Sequence, residues 1–206
     1  MLKLWGRANS SNVKKVTWLC EEIGLPYARI DAGMAFGVVN TPEYRRLNPN
    51  GLVPTIDDEG FILWESNAIV RYLSAKHATG TLWPADLKVR ADADRWMDWC
   101  TSMLMPTFLP VFLNLVRTPS ERRSLKAIED GSTKTGEVLA RLDTALAGRD
   151  FVAGDRFSVG DIAFGPVVYL VNNVLPDRPK LANYDAWYAR ISERAAFRKV
   201  VALPVS

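Results

Sequence analysis

A chain of 206 residues, 48% hydrophobic and 24% charged, can form one large domain or two small ones and is too apolar to stay disordered. The net charge of +3 comes with no run of Lys or Arg longer than two, which argues against the clustered basic stripe of a nucleic-acid-binding protein. A single histidine, His77, and two distant cysteines, Cys20 and Cys100, leave no His-based metal cluster, Cys-based zinc site or local dithiol, so no metal is expected.

In chain order, Leu2 to Trp5 is short and β-compatible and ends at Gly6. Ser10, Ser11 and Asn12 are all good helix caps, and Val13, Val16, Cys20 and Ile23 then recur at helical spacing until Gly24 and Pro26. Cys20 falls inside this apolar pattern, as Cys100 does further on, so both read as buried free thiols. Tyr27 to Ile30 reads as a second strand, and Thr41 with Pro42 opens a helical turn that Asn48, Pro49, Asn50 and Gly51 break. Val53 to Ile56 and Phe61 to Leu63 predict a hairpin around Asp57 to Gly60, and Ser66 is positioned to cap a helix running to about His77. This order, a parallel β-α-β unit followed by a hairpin and a helix, is that of thioredoxin-like domains.

Residues 79–86 read as a linker, and the remainder is helical. One long pattern from Leu87 to about Val116 is interrupted by Pro106 and Pro110. Further helices are expected over 120–146, 155–175 and 184–201. The predicted architecture is an α/β thioredoxin-like domain over 1–78 and an all-helical domain over 87–206. With no run of 18 apolar residues and no signal-like N-terminus, a cytoplasmic protein without a membrane segment is expected.

Four segments carry a resemblance: Asn9 to Val16, Asn48 to Pro54, Glu65 to Ile69, and Phe157 to Ala163. In this order and at these separations the chain resembles the cytosolic glutathione transferases over essentially its whole length. The resemblance implies that glutathione is the co-substrate, with a small hydrophobic electrophile as its partner in the reaction, and that the chain forms a homodimer. Ser10, six residues before Val16, falls where serine-type members keep the hydroxyl that activates sulfur. Asn12 falls where some disulfide-exchanging bacterial members place an Asn, and Ser11 lies between them. The chemistry is plain. A free thiol titrates near 8.5, and a hydroxyl at a helix N-terminus can donate to sulfur while the dipole favours the anion. Helix capping is the competing reading for all three residues.

The same resemblance implies that Pro54 follows a cis bond and that Val53 pairs its main chain with the cysteinyl part of glutathione, a form of strand addition. Glu65 and Ser66 suit the ammonium and carboxylate of the γ-glutamyl end. Relatives often carry a basic residue or Gln where Leu52 stands, and Asn40 or Arg7 are the candidates to replace its contact to the glycyl carboxylate. Trp99, Met103, Pro106 and Phe108 are candidates for the second-substrate pocket, against the ordinary reading of such a stripe as core. Ser158 to Asp161 fits a capping box and is assigned to folding. Two other functions compete with conjugation: a glutathione-dependent disulfide or peroxide reductase using Asn12, and a non-catalytic binding protein. Ser-Ser-Asn in place of Ser-Ser-Cys argues against the maleylacetoacetate isomerase branch.

Overall fold

In the computed structural model, which describes residues 1–205, the alternation of buried Leu2 and Leu4 with exposed Lys3 builds strand β1 (Leu2–Trp5). It pairs in parallel with β2 (Tyr27–Ile30) and antiparallel with β3 (Thr55–Asp58), which forms a hairpin with β4 (Phe61–Trp64). The sheet order is β2-β1-β3-β4, with Trp5 opposite Thr55 as the last β1–β3 pair. The third strand begins two residues later than the sequence pattern suggests.

Helix α1 (Ser11–Ile23) crosses between β1 and β2 and ends at Gly24, whose φ of 64° lies in the left-handed region that glycine enters without a Cβ clash. Eight consecutive residues, Val13 to Cys20, are buried, because the helix has the sheet's domain on one side and the helical half on the other. Trp18 is the wedge. Its ring meets Phe157 at 5.4 Å and Phe197 at 5.1 Å, and it fills a notch at Gly165, where a Cβ would lie 2.1 Å from its Cζ3. Lys14 is fully buried, donates to the Val201 carbonyl at 2.8 Å and lies over the Tyr169 ring; burial lowers its pKa to about 8. Cys20 and Cys100 are free and buried, and burial raises their thiols to about 12 and about 11.

Helix α2 (Pro42–Leu47) is capped by Thr41, and α3 (Ser66–His77) follows β4. Ser66 is the first helical residue; the cap position belongs to Glu65. The long helix α4 (Leu87–Arg117) opens the second half and contains two π turns, at Cys100–Leu104 and Leu113–Arg117. Pro106 and Pro110 explain part of this, since neither has an N–H to continue the regular ladder. By length and composition α4 could also cross a membrane, with a window of mean hydropathy 1.4, which a count of uninterrupted apolar residues passed over. Helices α5 (Leu125–Ala145), α6 (Val159–Val174), α7 (Ala182–Ser192) and α8 (Ala195–Val200) complete the chain. The start expected near Ser120 is a 3₁₀ turn, and Ser124 caps α5 instead.

The start of α6 is a closed polar unit. Asp161, fully buried, accepts from the Ser158 N–H at 3.0 Å, the Val152 N–H at 3.1 Å and Trp187 Nε1 at 2.8 Å. This is the capping box expected from sequence, extended to two further segments. Desolvation pushes the Asp161 carboxyl up to about 6, against the pull of these bonds.

Candidate active site

The polar residues that end β1 and start α1 open onto a cavity of about 550 Å³ between the two halves. Ser10, Ser11 and Asn12 all line it. Ser10 is the N-cap of α1, yet its side chain makes no capping hydrogen bond. Its hydroxyl is therefore held at a helix N-terminus without being used by the helix. Asn12 is engaged otherwise: its Oδ1 accepts from Ser66 Oγ at 3.1 Å, which ties the start of α1 to the start of α3.

Val53 lines the same cavity, and its peptide bond to Pro54 is cis. A compact polar cluster fixes this turn. Tyr44 donates to the Leu52 carbonyl at 2.6 Å, Asn48 Nδ2 donates to the same carbonyl at 2.9 Å, and both side chains also meet Thr55 Oγ1. Asn48 in turn accepts from the Asn50 N–H, the Asx turn that its position before Pro49 suggests. Val53 stands just past the last β1–β3 pair. Its N–H and carbonyl enter no hydrogen bond among the described residues, so the strand offers an open main-chain edge to the cavity.

Glu65 and Ser66 sit beside this cavity, at the head of α3. Glu65 has φ 72°, a left-handed conformation that costs a residue with a Cβ and that concentrates at functional sites. Behind it, Lys15 is almost fully buried and donates to Asn67 Oδ1 at 3.3 Å; burial lowers its pKa, and Cys100 and Glu65 partly offset that.

Phe108, one of the residues nominated for a second pocket, lines the cavity, together with Met105, Leu109, Phe112 and Leu113 of α4. Trp99 and Met103 do not. Trp99 packs against Trp96 and Phe164 in the interhelical core, and Met103 is exposed. Pro106 is exposed as well. Asn40 lies off the cavity, its Oδ1 accepting from Arg45. Arg7 does line it, as do Met34 and Arg117, which the sequence gave no reason to single out.

A profile of the glutathione S-transferase N-terminal domain matches residues 1–75, and one of the C-terminal domain matches residues 126–190. The chain is 44% identical to glutathione S-transferase GstB of Escherichia coli strain K12, with both chains covered completely. The chain belongs to the glutathione S-transferase family. Membership over the full length carries the enzyme class, a glutathione S-transferase, and the fold of a thioredoxin-like domain followed by a helical one. Plant members are more distant: glutathione S-transferase F12 of Arabidopsis thaliana is 30% identical over 98% of each chain. A theta class glutathione S-transferase from Xanthomonas axonopodis pv. citri, solved with glutathione bound, is 46% identical. It superposes with a TM-score of 0.96, covering 100% of this chain and 99% of that one. Glutathione transferase F7 of Populus trichocarpa gives 0.87 at 26% identity, with 97% of each chain covered.

Proposed function

We propose that the cavity binds glutathione along the main chain of Val53 and that Ser10 activates its thiol for attack on an apolar electrophile. Glutathione would add as a short strand to the open Val53 edge, next to the cis Pro54, with its γ-glutamyl end at Glu65 and Ser66. The N–H groups and dipole at the start of α3 suit its carboxylate. The side chains of Met105, Phe108, Leu109 and Phe112 supply an apolar wall for the second substrate.

The observation that carries this reading is the uncapped Ser10 hydroxyl. A serine at an N-cap normally uses its oxygen on the helix, and this one lines the cavity instead. Asn12 accepts from Ser66 through its Oδ1 and keeps its Nδ2 as a donor, so the preference for Ser10 and conjugation over Asn12 and disulfide exchange rests on the uncapped Ser10 hydroxyl. Ser11 follows the cap by one residue and leaves the helix in another direction. The test is the ultraviolet absorbance of bound thiolate against pH. Ser10→Ala is expected to raise the pKa of bound glutathione by about one to two units with affinity nearly intact, equivalent to about 1.4–2.7 kcal/mol. Ser11→Ala and Asn12→Ala are expected to move it much less. A Ser10→Ala protein whose bound thiol titrates like wild type defeats the assignment.

A homodimer belongs to the same reading. Much of α4 is apolar without being buried in the chain, and Phe61 and Trp64 on β4 are also exposed, so a second copy is the cover we infer for these surfaces. Light scattering on the purified protein is expected to give twice the chain mass; a monomer at working concentration contradicts it. A cytoplasmic role in detoxification fits this chemistry.

A further inference from the structure

The four strands bring four chain junctions to one end of the sheet. Trp5 closes β1 opposite Ile30 of β2 and Thr55 of β3, and Thr55 in turn lies opposite Trp64 of β4. The residues just beyond these pairs therefore follow the strand order: Gly33 after β2, Arg7 after β1, Val53 before β3 and Glu65 after β4. A ligand whose middle pairs with Val53 and whose γ-glutamyl end meets Glu65 and Ser66 points its other end toward Arg7. The span fits. Neighbouring strands lie about 4.8 Å apart, so β4 to β1 is about 10 Å, and an extended tripeptide reaches about 10 Å.

That other end carries the glycyl carboxylate, and Arg7 is prepared for an anion. It lines the cavity, and its main-chain N–H donates to the Ala32 carbonyl at 3.1 Å, which fixes the turn after β1. Its Nη1 would lie 3.5 Å from a Cβ placed on Gly33, and Val53 Cγ1 would lie 3.5 Å from the same point, so the guanidinium and Val53 flank one spot. The Arg7 Nε is buried and meets no hydrogen-bond acceptor among the described residues. A buried N–H of a charged group without an acceptor is costly to a fold, and a ligand oxygen would satisfy it. No Asp or Glu stands among the described lining residues, and Asp31, just past β2, is already paired with Arg29. The other residues considered for this contact drop out: Leu52 is apolar and 64% exposed, and Asn40 is held by Arg45 away from the cavity.

We propose that Arg7 anchors the glycyl carboxylate, so that the protein selects as its thiol co-substrate tripeptides whose C-terminal carboxylate is free over those esterified or amidated there. A planar guanidinium recognises a planar carboxylate through two parallel N–H donors, and Nε with one Nη forms such a pair. The inference rests on the placement of glutathione proposed above and adds what its third residue meets.

A matched pair of ligands tests it. Glutathione and its glycyl ethyl ester share the γ-glutamyl end and the thiol and differ at that one carboxylate. The readout is the Kd of each by calorimetry on the purified protein. Wild type is expected to bind glutathione about tenfold or more tighter than the ester. Arg7→Gln is expected to weaken glutathione about tenfold while the ester stays within about twofold, with Arg7→Lys recovering part of the loss. The ester value also reports that each variant is folded. Equal losses on acid and ester would give Arg7 a structural role and overturn the proposal. So would a glutathione affinity that Arg7→Gln leaves unchanged, or a wild type that does not distinguish the pair. Binding of neither compound by wild type would sink the glutathione reading itself.

Discussion

Three helices of this protein begin with a serine at the cap, and two of these serines are used in opposite ways. At the start of α6, Ser158 and Asp161 form a closed, buried box whose acceptor also serves Val152 and Trp187. At the start of α1, Ser10 sits at the same position in its helix, and its side chain caps nothing. The first start is satisfied by the fold, and the hydroxyl of the second is left unused by its helix. A polar motif at a helix start therefore does not say whether it serves folding or chemistry; the test is whether its hydrogen bonds are already made.

The largest expected effect breaks the closed start. Asp161→Ala orphans three buried N–H donors and is expected to cost roughly 3–5 kcal/mol in denaturant unfolding, against about 0.5 kcal/mol or less for Ser10→Ala. Comparable losses for the two would erase the distinction. A smaller effect sharpens it through pH. The folded-state pKa of Asp161, about 6, is raised above the ordinary 3.8, so its favourable contribution is complete below about pH 4 and is lost as pH rises through 6. The stability of wild type relative to Asp161→Asn is therefore expected to fall by roughly 1–3 kcal/mol between pH 4 and pH 7. A difference that is flat across that window would mean that the bonds from Trp187, Val152 and Ser158 hold the carboxylate ionised throughout.

Much of the fold was legible because local signals agreed. Alternation gave β1, the period of Val13, Val16 and Cys20 gave α1, and the Ser158–Asp161 spacing gave the box. The proposed site residues Ser10, Val53 and Ser66 could be nominated from motifs because each lies at a junction between elements, where residue type is constrained. The pocket wall could not. Its reading through Trp99 and Met103 followed from the resemblance, which points to the first helix of the helical half without saying which of its faces meets the cavity; Trp99 packs on Trp96 and Phe164 instead. Arg117 and Met34 were invisible for another reason: they reach the cavity from a helix end and a loop whose positions depend on tertiary packing alone.

The unbroken burial of Val13 to Cys20 bears on how the enzyme fails. A helix covered on every side has no surface along which to detach by itself. Lys14 is bonded to Val201, and Trp18 is locked into the Gly165 notch of α6, so freeing α1 means opening both domains together. The start of that helix is the end proposed to activate the thiol. Heat or denaturant should therefore leave no half-open form that retains chemistry, and activity and native packing should disappear in one cooperative event.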